Sequence, residues 1–148
     1  MIISIVIPTL NEEASLRQLT NEINAAVARV DRVASHEIIF VDDGSTDHSW
    51  EIIEELSRIK ENHVRGVRLR RNLGKSTALS AGFSECLGNL IFTMDADLQD
   101  DPKEIPNFIN MMDKGFDLVS GWKRVRYDPF MKTAPSRIFN FVTARLTG

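Results

Sequence analysis

The chain has 148 residues, 43% of them hydrophobic and 26% charged, with a formal net charge of -3. That length suits one compact domain with its own core, and the mild acidity gives no general attraction to nucleic acid. A single cysteine, Cys86, excludes an internal disulfide and a thiolate metal cluster.

Apolar runs alternate with helical patterns along the chain. Ile2 to Ile7 is an apolar run stopped by Pro8, with no basic lead-in, and reads as a buried strand instead of a signal peptide. Leu16, Leu19, Ile23, Val27 and Val30 then recur at helical spacing. Glu37 to Val41 is a second strand, ended by Asp42-Asp-Gly-Ser-Thr-Asp47, and Asp47 is placed to cap a helix carrying Trp50, Ile53, Leu56 and Ile59. Val64 to Leu69 gives a third strand, and Lys75 to Cys86 a helix of small residues that makes Cys86 a buried structural thiol. Leu90 to Met94 is a fourth strand, followed by a helix with Ile105, Phe108, Ile109 and Met112 and a short fifth strand, Asp117 to Gly121. The alternation predicts an α/β domain with helices around a largely parallel sheet.

The pattern changes after Trp122, so residues 1–122 are expected to form the core and 123–148 an appendage. Lys123 to Pro135 reads as a mobile loop, and Ser136 to Leu146 as an amphipathic helix with Phe139, Val142 and Leu146 on one face. This tail holds six basic residues and one acid, Asp128, whereas the first 122 residues hold 12 basic and 20 acidic ones. A basic tail carrying Phe130, Phe139 and Phe141 suits an anionic bilayer surface; the plain alternative is a solvated end. No run approaches the ~18 apolar residues that span a bilayer, so the expectation is a soluble chain, cytoplasmic and peripheral at the inner face of the membrane.

In open α/β sheets, ligands bind outside the carboxyl ends of the strands. There the five predicted strands deliver Asn11, Glu12 and Glu13; Asp42 and Asp43; Arg71, Asn72 and Lys75; Asp95, Asp97 and Gln99; and Lys123 with Arg124. In Asp95-Ala-Asp97, extended backbone points both carboxylates the same way, and the pair repels itself unless a cation intervenes. Hard oxygen ligands suit Mg²⁺ or Mn²⁺, while a solvated acidic turn before Pro102 accounts for the same residues. Asp42 directly follows an apolar run, should be partly buried and needs a donor, which the N–H of a nucleobase would supply. Gly74-Lys75-Ser76 is not a phosphate-loop motif, because Leu69 stands where that motif needs glycine. Gly74 is expected instead to let backbone approach the ligand or a neighbouring strand.

Together, VIPTLNEE (6–13), VDDGSTD (41–47), RNLGKSTALSAG (71–82) and MDADLQDDP (94–102) resemble the family 2 glycosyltransferases of the GT-A, Rossmann-like fold. The stretch SGWKRVRYDPFMKTAPSRIFN (120–140) narrows the likeness to the branch that makes dolichyl- or polyprenyl-phosphate sugars. The resemblance implies that Pro8, Asn11 and Glu12 line a nucleotide pocket with Asp42 against the base, and that Asp43, Gly74 and Lys75 belong to the same site. It implies that Asp95 approaches the donor, that Asp97 and Gln99 help Asp95 hold Mg²⁺ or Mn²⁺, and that Lys123, Arg124 and Arg126 close over the donor diphosphate and acceptor phosphate. The implied reaction moves a sugar, with inversion, from a UDP- or GDP-linked donor to polyprenyl phosphate. The branch continues past the point where this chain ends, so a fragment is expected. A nucleotide-sugar-binding piece without turnover, or transfer to a glycan hydroxyl, are the alternatives. A response-regulator receiver or a haloacid-dehalogenase-type phosphatase fits less well, because here a whole strand-helix unit precedes Asp42, and Leu98 and Gln99 follow the Asp-Ala-Asp. Oligomeric state is left open by the sequence.

Overall fold

The structure, a computed structural model, describes residues 1–121. Its centre is β1 (Ile2–Thr9), which pairs in parallel with β2 (Ser35–Asp42) on one side and β4 (Leu90–Thr93) on the other. β3 (Val64–Arg68) pairs in parallel with β2, giving the strand order β3-β2-β1-β4. β1 and β2 are buried on both faces, as expected of apolar runs inside a parallel sheet.

The two faces are unequal. Ile3, Ile5 and Ile7 of β1 with Ile38 and Phe40 of β2 meet α1 (Leu16–Val27), α2 (Ser49–Ser57) and α4 (Ile105–Met112). The opposite face, Val6, Ile39 and Val41, is packed by Ala78 of α3 (Lys75–Ser84). Gly82 lets α3 sit this low: a Cβ there would meet Val6 Cγ1 at 2.3 Å. At the amino end of the sheet, Glu37 is buried but accepts from Ser4 Oγ at 2.6 Å, the Leu87 amide at 2.7 Å and Arg65 at 2.8 Å.

Two expectations change. The helix from Lys75 stops at Ser84, so Cys86 lies beyond it, half-buried, with its thiol on the Gly82 carbonyl at 3.3 Å. Residues 117–121 form no strand. The chain divides after Asp117 into two compact units, and the described part of the second, residues 118–121, has no regular secondary structure. The expected loop at 123–135 and helix at 136–146 lie outside the described residues. Among those described, no helix is long and apolar enough to cross a membrane.

Candidate active site at the strand ends

The chain leaves β1 toward β2 and β3, then crosses back to place β4 on the other flank of β1. That reversal is the topological switch point, where diverging loops open a crevice. A cleft of about 340 Å³ lies there, lined by Pro8, Thr9, Leu10 and Glu12 after β1 and by Asp95, Ala96 and Asp97 after β4. Asp43 from the β2 turn and Asn72, Gly74 and Lys75 from the β3 turn complete its wall. Seven of the ten predicted site residues inside the described region therefore share one cleft.

The remaining three, Asn11, Asp42 and Gln99, do not line the cleft and make other contacts. Asn11, at φ 58°, takes the left-handed conformation that asparagine tolerates. Its Oδ1 accepts from the Thr46 amide at 2.8 Å, and its own amide donates to Ser45 Oγ at 3.0 Å. The amides of Glu12 and Glu13 donate to Ser49 Oγ at 2.8 Å and Asp47 Oδ2 at 3.2 Å, while Glu13 Oε2 accepts from the His48 amide at 2.9 Å. The turns after β1 and β2 are thus clasped together. Sequence reasoning missed Ser45 and Ser49; the density of hydroxyls before α2 was the available signal. Asp47 also accepts from the Ser49 amide at 3.0 Å, close to its expected capping role.

Asp42 and Asp43 divide their work. Asp43 is almost fully buried, and its two oxygens accept from the Leu73 amide at 2.8 Å and the Gly74 amide at 2.9 Å, fixing the loop that leads into α3. Gly44, at φ 79°, brings these turns together, since a Cβ there would lie 2.7 Å from the Arg71 backbone. Gly74 answers a different need from the one expected. A Cβ on it would meet nothing within 4 Å, so its φ of 92°, not close approach, calls for glycine. Asp42 is wholly buried; Oδ1 accepts from the Ser45 amide at 3.0 Å, and Arg68 Nε lies 3.4 Å from Oδ2.

On the β4 side, Lys75 Nζ forms an ion pair with Asp95 Oδ1, and the Asp95 amide donates to Asp100 Oδ2 at 2.8 Å. Asp97 is exposed, with Oδ1 accepting from the Gln99 amide at 3.1 Å across Leu98, whose φ is 61°. Gln99 is exposed and does not line the cleft. Opposite them, the Glu12 carboxyl is pushed above its ordinary range, first by burial and then by the charges of Asp97, Asp47 and Asp95, against a lowering by the Ser15 hydroxyl. The cleft therefore carries a concentrated negative potential beside one lysine.

No three His, Cys, Asp or Glu side chains among the described residues form a ready-made metal cage. The donor chemistry nonetheless fits Mg²⁺ or Mn²⁺. These ions take few protein carboxylates and fill their other positions with water and phosphate oxygens. Asp97 is exposed in the cleft and raises the carboxyl opposite it, which is the electrostatic condition such an ion relieves.

The sequence pattern of the family described as Glycosyl transferase family 2 matches residues 4–147. The chain belongs to glycosyl transferase family 2. A relative from Shewanella sediminis, undecaprenyl-phosphate 4-deoxy-4-formamido-L-arabinose transferase, is 42% identical over 99% of this chain. The chain spans 44% of that relative's length. Among solved structures, S. aureus TarS superposes with a TM-score of 0.60 at 18% identity, covering 87% of this chain and 24% of its own. Glucosyl-3-phosphoglycerate synthase from Mycobacterium tuberculosis, in complex with Mn²⁺, UDP and glucosyl-3-phosphoglycerate, does so with a TM-score of 0.54 at 28% identity, covering 74% of this chain and 39% of its own. The parallel four-stranded sheet flanked by helices is the GT-A fold of this family, as the sequence resemblance implied. Lys123, Arg124 and Arg126, expected to close over the donor, lie outside the described residues.

Proposed function

We propose that this family 2 chain binds a UDP- or GDP-linked sugar with Mg²⁺ or Mn²⁺ in the switch-point cleft and passes the sugar, with inversion, to polyprenyl phosphate. The observation that carries the reading is the convergence of Glu12, Asp95, Asp97 and Lys75 on one cleft at that point. Asp97, with Asp95 beside it, would hold the ion, and Gln99 would steady Asp97 through its amide. The ion, when bound, supplies Lewis-acid stabilisation of the charge that develops on the leaving diphosphate. Lys75 adds a second positive charge at the start of α3, where the first-turn amides also favour an anion. Asp43 keeps that helix start in place through Leu73 and Gly74. Pro8, Thr9 and Glu12 form the wall along which the nucleotide lies, whereas Asp42, expected against the base, is wholly buried and outside the cleft lining.

A phosphate monoester acceptor has a second pKa of about 6, so it arrives largely ionised and needs little general base. The harder step is bringing two anions together, and Lys123, Arg124 and Arg126 are assigned to it. The name of the Shewanella relative supports a polyprenyl phosphate acceptor and makes a 4-deoxy-4-formamido-L-arabinose the first sugar to test. The acceptor places the reaction at a membrane surface, at its inner face if the donor is cytoplasmic.

The test is a transfer assay with nucleoside-diphosphate sugars and Mn²⁺, with or without undecaprenyl phosphate in detergent. The reading expects nucleoside diphosphate release that depends on the lipid phosphate. Release driven equally well by a soluble glycan would overturn the acceptor assignment. Tight nucleotide binding with no release under any condition would favour a binding fragment without turnover.

A further inference from the structure

Lys75 and Asp95 meet in the cleft as an ion pair between the first turn of α3 and the turn after β4. The backbone is held on both sides. Asp43 accepts from the Leu73 and Gly74 amides and so fixes the chain just before Lys75. Asp100 Oδ2 accepts from the Asp95 amide at 2.8 Å, which holds the start of the acidic turn. The side chains of the pair are open to solvent, 59% for Lys75 and 35% for Asp95.

An ion pair this exposed is weak, so it forms and breaks readily while the elements beneath it stay in place. A lysine suits such exchange, because its ammonium is a point charge on a flexible stem and lacks the fixed fork of an arginine. Glu12, Asp95 and Asp97 line the same cleft, so Lys75 sits among carboxylates that repel one another. Its ammonium offsets that repulsion and engages one of the two aspartates assigned to a divalent ion.

We propose that Lys75 changes partner, from the Asp95 carboxylate to the donor diphosphate, and thereby couples binding of the ion to binding of the donor. The inference rests on the reading that places a divalent ion and a nucleoside diphosphate in this cleft. Lys75 opposes an ion that arrives alone, since the two compete for Asp95. It is also held back from a diphosphate that arrives alone, since leaving Asp95 exposes that carboxylate beside Asp97. With both present, Lys75 yields Asp95 to the ion and turns to the diphosphate, and each charge is matched. Coupling is reciprocal, so each ligand raises affinity for the other by the same factor, and Lys75 enlarges that factor.

Two measurements on the full chain test this. The first is affinity for Mn²⁺ alone, for UDP and GDP alone, and for each nucleotide at saturating Mn²⁺. Lys75→Met is expected to lower the Kd for Mn²⁺ alone about threefold and to raise the Kd for the preferred nucleotide with Mn²⁺ about tenfold. The factor by which Mn²⁺ tightens nucleotide binding then shrinks about threefold. The second is the nitrogen NMR resonance of the Lys75 ammonium, assigned by its loss in Lys75→Met. It is expected to shift in Asp95→Asn in buffer, and in wild type to shift when Mg²⁺ and the nucleotide are added together. A charge acting only from a distance would leave that resonance indifferent to Asp95→Asn, and this result would overturn the proposal. So would Mn²⁺ alone binding Lys75→Met no better than wild type. If Mn²⁺ fails to tighten nucleotide binding in wild type, the underlying reading of the cleft fails instead.

Discussion

Lys75 and Asp43 both line the cleft, yet their surroundings predict different consequences when each is removed. The Lys75–Asp95 pair is largely exposed on the lysine side, with 59% of that side chain accessible, so it adds little to folding. Lys75→Met should therefore leave thermal stability nearly unchanged, within about 1 kcal/mol, while weakening nucleoside diphosphate binding about tenfold by calorimetry. Asp43 accepts two amides from a loop 30 residues away. Asp43→Ala leaves the Leu73 amide without its acceptor and the Gly74 amide with Asn72 Oδ1 alone, and should cost about 2 kcal/mol in denaturant unfolding, lowering nucleotide affinity as a result. The sequence marked both residues as site candidates by their place after a strand. It could not separate a ligand-facing charge from a loop-holding one, because the Leu73 and Gly74 amides meet Asp43 only in the folded chain. The same holds for Asn11, whose side chain is taken up by the turn at Thr46.

At the scale of elements, the junction of α1, β2 and β3 carries a titration. His36 is partly buried with Nε2 2.6 Å from Asn24 Oδ1, and its ring lies 4.3 Å from that of His63. Burial, and then the neighbouring His63, lower its pKa to about 4 from an ordinary 6.5. Between these values the unfolded chain binds the proton and the folded chain does not, so stability rises with pH across that window. The stabilisation is complete above about pH 6.5 and is lost as pH falls toward 4. Thermal unfolding followed from pH 7 to 4 should show this decline, and His63→Asn should flatten it. Glycine packing makes a second element-scale prediction: Gly82→Ala forces α3 off β1, and we expect a loss of about 1–3 kcal/mol from overpacking.

Most elements were legible because their signals are local. Apolar runs bounded by turn residues marked β1, β2 and β4, and the 3.6-residue spacing marked α1, α2 and α4. The fifth strand expected at 117–121 rested on Leu118 and Val119 alone. Strand preference of that kind reports fit to a neighbouring strand, and none pairs with these residues in the described structure. Cys86 was misplaced by two residues because no Gly or Pro marks the end of α3 before Gly88, and local signals set a helix end only to within a residue or two.

For the molecule as a whole, the alternating pattern implied a parallel α/β sheet, and that in turn told which edge to search. What it could not give was the strand order, which sets β4 beside β1 and so brings Asp95 and Asp97 across from Glu12. The central claim is that this crevice concentrates carboxylates to share a divalent ion with a diphosphate. Calorimetric titration of UDP and GDP into the wild-type chain and into Asp97→Asn, each with Mn²⁺ and after chelation, tests it most directly. The account predicts that one of the two nucleotides binds wild type at least tenfold more tightly with Mn²⁺, and that Asp97→Asn abolishes the difference. Binding that is indifferent to the metal in wild type, or equally metal-dependent in Asp97→Asn, would contradict it.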